Sequence, residues 1–106
     1  MSSGYALHLE AYADLDDIRY YLAQENPDAA DRVMADIFDS LRRVVRFPHQ
    51  GHRRPDLTSR PLRFILVRDY LIAYAPEEKP LWVVAILHGR RNPRLLAAIL
   101  RSREGR

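Results

Sequence analysis

A chain of 106 residues, 47% of them hydrophobic, is long enough for one folded domain and too short for two. The absence of cysteine excludes a disulfide framework, a zinc ribbon and a thiolate nucleophile, and no apolar run reaches the ~18 residues of a membrane span. A net charge of +3 hides a division: nine acidic residues face Arg19 and Arg32 through Asp39, whereas fifteen basic residues face five acidic ones from Ser40 onward. Such asymmetry suits an acidic partner or nucleic acid on the basic side.

Tyr5, Leu7, Leu9 and Ala11 alternate with Ala6, His8, Glu10 and Tyr12, which predicts a short first strand. A helix is expected from Ala13 or Asp14 to about Glu25, with Asp14, Asp16 and Asp17 in its first turn, where the macrodipole favours anions. Its apolar positions are Leu15, Ile18 and Leu22. Asn26-Pro27 punctuates the chain, because Asn caps a helix and Pro is tolerated at its first position. The second helix carries the stripe Ala30, Val33, Ile37, Leu41 and Val44, widened by Met34, Phe38 and Val45. Arg42, Arg43 and Arg46 lie near its C-terminal dipole, and Pro48 ends it.

His49 to Arg60 reads as a polar loop. Three strand-like runs follow, Leu62 to Val67, Tyr70 to Ala75 and Leu81 to Leu87, joined by connections short enough for an antiparallel meander. Pro93 to Arg103 forms a last helical pattern with Leu95, Leu96, Ile99 and Leu100 on one side and an end free to fray. The order strand, helix, helix, three strands, short helix predicts an α+β fold. An antiparallel helical hairpin covers one face of a small, mainly antiparallel sheet, with the first strand beside the last. The opposite sheet face is left for the C-terminal helix or for a partner. Met1-Ser2-Ser3-Gly4 lacks the basic and apolar regions of a signal peptide, so a soluble, cytoplasmic protein is expected.

Several segments, in this order, resemble the bacterial RelE/ParE toxin superfamily. They are Asp14-Leu15-Asp16-Asp17-Ile18-Arg19-Tyr20-Tyr21-Leu22, Asn26 to Arg32, Phe47-Pro48-His49-Gln50-Gly51, Leu62-Arg63-Phe64, Tyr70 to Tyr74 and Leu87-His88-Gly89-Arg90-Arg91. The resemblance implies one toxin domain over residues 1–106, the toxin half of a type II toxin-antitoxin pair. It further implies a cognate antitoxin of the ribbon-helix-helix type, a hetero-oligomer with it, and operator DNA contacted only through the antitoxin. RelE-like members are ribosome-dependent messenger RNA endoribonucleases, whereas ParE-like members poison DNA gyrase. The nucleases place an Arg after the first Tyr of the third strand and often a Tyr in the tail. This chain has Tyr70-Leu71 and no tyrosine after Asn92, so the ParE-like branch and a gyrase target are expected. The alternatives are a metal-independent nuclease using His88, Arg90 and Arg91, and a non-toxic, antitoxin-bound co-repressor.

Arg53, Arg54, Arg63, Arg90 and Arg91 are the candidate antitoxin- or target-binding residues. Arginine's planar fork suits carboxylate and phosphate recognition. Arg63 interrupts an apolar strand, so a carboxylate partner in this chain or the antitoxin is expected, while Arg90 and Arg91 are candidates to pair with Asp69 or Glu78. His88 is in phase with Trp82, Val84 and Ile86, which favours a packed histidine bonded to backbone over a catalyst. Tyr20, Tyr21, Tyr70 and Tyr74 are expected to pack rather than to stack on bases. His49 and His52 have no further ligand at metal spacing, and neither a metal nor a cofactor is expected.

Overall fold

A computed structural model describes residues 3–103. The elements are β1 (Tyr5–Leu7), α1 (Leu9–Glu25), α2 (Pro27–Arg46), a single 3-10 turn (Pro48–Gln50), β2 (Arg63–Val67), β3 (Tyr70–Ala75), β4 (Leu81–His88) and α3 (Pro93–Ser102). The four strands form one sheet in the order β1-β4-β3-β2. β2, β3 and β4 are the expected antiparallel meander, and β1 lies parallel to β4 with Tyr5 opposite Leu81 and Leu7 opposite Val83. The α+β architecture expected from the sequence is therefore the one observed.

The first helix begins earlier than its sequence suggests. β1 stops at Leu7, and the His8 ring accepts a bond from the Glu10 N–H at the N-terminus of α1. Ala11, completely buried, is therefore the first core residue of the helical period and not the last of a strand alternation. Asp14, Asp16 and Asp17 fall in the second and third turns, leaving Glu10 as the acid of the first. The second helix matches its predicted limits: Asn26 caps it by accepting from the Ala29 N–H, and Ala30, Val33, Met34, Ile37, Leu41 and Val44 are all buried.

Two apolar layers result. On one face α1 and α2 cover Ile72, Tyr74, Val83 and Ile86; on the other, α3 and the 51–62 loop cover Phe64, Ala73, Val84, Ala85 and Leu87 through Leu57, Leu62, Leu96 and Leu100. A bulge explains why β4 serves both layers. Ala73 opposes Ala85 but Tyr74 opposes Val83, so Val84 is an extra residue and the inward-outward phase reverses across it. His88 is thus in phase with Ile86 alone, whereas Trp82 and Val84 belong to the α3 face, which corrects the alternation expected for this strand.

Candidate functional site

The arginines singled out in the sequence form two groups at opposite ends of the sheet. Arg63 opposes Tyr74 at one end of β3, and His88 opposes Tyr70 at the other. At roughly 3.4 Å per residue the two groups stand about 14 Å apart along the strands.

At the first end, the Tyr74 hydroxyl organises the loop. It donates to the Pro48 carbonyl at 2.7 Å and accepts from the Gly51 N–H at 3.0 Å, while His52 and Phe64 exchange backbone bonds at 2.8 Å. Burial pushes the Tyr74 phenol above its ordinary range; the Gly51 bond and the nearby Arg63 charge oppose that shift in part. A Cβ on Gly51 would stand 2.6 Å from the Tyr74 oxygen and 2.9 Å from the Phe64 carbonyl, so the Phe47-Pro48-His49-Gln50-Gly51 segment is shaped by close packing. Arg63 donates to the Gly51 carbonyl at 2.8 Å instead of meeting a carboxylate among the described residues. A buried backbone acceptor takes the place of the expected ion pair. Arg53 and Arg63 line the same recess of about 100 Å³, together with His49 and Glu77. Arg54 is directed instead onto Asp56 by two bonds of 2.9 and 2.8 Å, which hold the guanidinium pKa up and the Asp56 carboxyl below its usual range.

At the second end, β4 delivers His88 to the mouth of a groove of about 470 Å³ between α1, β4 and α3. Glu10, Asp17 and Tyr21 line one side, and Tyr70, His88 and Arg91 the other. His88 lies edge-on to Tyr70, and its Nδ1 accepts from the Arg90 N–H at 3.2 Å. That bond favours the tautomer with the proton on Nε2. Gly89 sits in a tight space: its N–H donates to the Asp69 carbonyl at 2.7 Å, and an added Cβ would meet that carbonyl and Leu66 at 3.3 Å. Arg90 stands 3.7 Å from Asp69, one of its two expected partners, and both side chains are largely exposed. Burial raises the Tyr70 phenol pKa, and Asp69 adds to the effect.

Sequence reading missed the ion pair beneath this groove. Arg103, 7% exposed, grips Asp14 with bonds of 2.6 and 2.9 Å and also donates to the Val84 carbonyl; Asp14 in turn accepts from the Ile86 N–H. Just beyond the end of its pairing with β1, β4 thus satisfies two backbone groups with side chains. The signal was available as phase: Asp14 shares the inner stripe of α1 with Ala11 and Ile18, and Arg103 follows Leu96 and Leu100. Opposite charges on two buried stripes mark a pair. The tyrosine expectation also needs correction, since Tyr20 and Tyr21 are 71% and 67% exposed and only Tyr74 is fully packed.

No cluster of three or more potential metal ligands occurs among the described residues, and His49 is bonded to Glu77 at 2.7 Å. Among the described residues no helix is long and apolar enough to cross a membrane. The chain matches no curated protein. The family described as ParE toxin of type II toxin-antitoxin system, parDE, does match, over residues 5–93, the span that holds the whole sheet, the helical hairpin and both arginine groups, and the chain belongs to that family of toxins.

Proposed function

We propose that the protein arrests bacterial growth by binding DNA gyrase, without covalent chemistry of its own, and that a ribbon-helix-helix antitoxin neutralises it. One observation carries the choice of target. Leu71, at the position where RelE-like nucleases keep an arginine, packs against the apolar layer beneath α3 and cannot itself supply the cation that a pentacoordinate phosphate needs. Purified protein should inhibit gyrase supercoiling while leaving in vitro translation intact. Message cleavage with normal supercoiling would instead establish the nuclease reading, which rests on His88 and Arg91 lining one groove.

The antitoxin reading assigns its acidic side chains to Arg53, Arg63 and Arg90, with Arg54 and Arg91 at the margins. Partner residues spaced to reach both ends of the sheet would engage the recess at Arg63 and the turn at Arg90 together. Charge reversal at Arg63 and Arg90, each paired with reversal of an antitoxin carboxylate, tests this by double-mutant cycle. Coupling of about 1.5 kcal/mol or more marks a close charge pair, and affinity unchanged by either reversal rules the assignment out.

A further inference from the structure

The C-terminal end of α2 and the loop after it carry a charged surface of which the antitoxin reading uses only Arg53 and, at its margin, Arg54. From Ser40 through Pro55 the chain holds five arginines and two histidines and not one acidic residue. Neighbouring carboxylates are already taken: Asp39 by Arg42, Asp56 by Arg54, Glu77 by His49 and Asp36 by Arg68. Among the described residues, Arg43, Arg46 and Arg53 are exposed and have no carboxylate within ion-pair distance.

Arg43 and Arg46 favour the negative end of the helix dipole, which explains some of their presence. It does not explain Phe47. This residue closes α2 by donating its N–H to the Arg43 carbonyl at 2.9 Å, yet its ring is 58% exposed, with the Arg46 guanidinium 5.6 Å from its centroid. A large aromatic ring left more than half in water, in contact with the unpaired Arg46 guanidinium, gains little folding energy for its size. The 3-10 turn that follows is fixed by the bond from Tyr74 to Pro48, so the ring stands on a rigid base.

We propose that Arg43, Arg46, Phe47 and Arg53 form a contact surface for single-stranded nucleic acid, with phosphates on the arginines and one base stacked on Phe47. Planar guanidinium forks match phosphate oxygens, and any base offers a face to an aromatic ring, so the surface recognises strands without reading sequence. An acidic polypeptide would use the same cations and leave the ring idle, which is why the nucleic acid is favoured. The contact is direct and independent of the toxin's target, and it departs from the expectation that DNA is reached only through the antitoxin.

Fluorescence anisotropy of the full chain with a labelled oligothymidylate of about a dozen nucleotides provides the test. Three phosphate contacts predict a slope of about −2 in log affinity against log salt. Phe47→Ala should weaken binding by roughly 5- to 100-fold. Arg43→Glu with Arg46→Glu should abolish it, and Arg53→Glu, outside any helix, should weaken it without altering the circular dichroism spectrum. The proposal fails if the wild-type chain does not bind the oligonucleotide, if Phe47→Ala or Phe47→Leu binds as well as wild type, or if polyglutamate of equal charge competes as effectively as unlabelled oligonucleotide.

Discussion

At the residue scale the sharpest dependences are buried and polar. Removing one member of the Asp14–Arg103 pair strands the other charge in a site about nine-tenths enclosed. Arg103→Ala is therefore expected to cost about 3–5 kcal/mol in urea unfolding, and the double Asp14→Ala/Arg103→Ala variant less than the sum of its singles. Gly51→Ala should cost about 1–3 kcal/mol, because the new methyl must displace the Tyr74 hydroxyl or the Phe64 carbonyl. Tyr74 also sets an alkaline limit. Its folded pKa is raised above the ordinary 10.0, so its contribution is complete below pH 10 and is lost as pH climbs through the folded value. Phenolate absorbance should show a late-titrating tyrosine that disappears in Tyr74→Phe, accompanied by a shallower alkaline loss of stability. Composition indicated that arginines matter here, but it could not indicate that Arg63 would find a carbonyl, since both kinds of acceptor satisfy a guanidinium.

At the scale of elements, periodicity located α2, the three meander strands and α3 almost to the residue, because each has a mostly apolar run or stripe bounded by strong stop signals. It failed at α1, whose Leu9, Tyr12, Tyr20 and Tyr21 face water, so apolar residues lie on both sides of the helix and blur its start. It failed again at Val84, since a bulge leaves no composition signal in a run of valine, alanine and isoleucine. The turn after β4 yields a prediction that separates architecture from chemistry. If His88 serves by accepting the Arg90 N–H, His88→Asn, which keeps an acceptor in nearly the same place, should retain growth inhibition where His88→Ala weakens it. Equal loss in both variants would assign the imidazole a chemical task.

Over the whole molecule, charge is segregated along the chain: acidic residues crowd into α1 and the part of α2 up to Asp39, and most arginines lie from Arg42 onward. A partner bearing acidic residues should be steered onto the basic side, so the association rate with the antitoxin is expected to fall tenfold or more, by order of magnitude, between low and high salt. A rate independent of ionic strength would show that apolar contacts alone guide the encounter. The family was readable because the ordered motifs are spacing constraints of one fold; Gly89 and Gly51 mark places where backbones nearly touch. The ion pair joining α3 to α1 was harder to see, because its partners lie 89 positions apart.

That separation bears on the toxin's birth. Among the described residues β1 has β4 as its only neighbour in the sheet, and Asp14 waits for Arg103, so segments made early in translation depend on segments made about 80 or more residues later. During translation the helical hairpin can form early, but the sheet beneath it cannot close. A bacterium making this protein therefore has an interval, set by elongation, in which the chain exists and its finished surfaces do not.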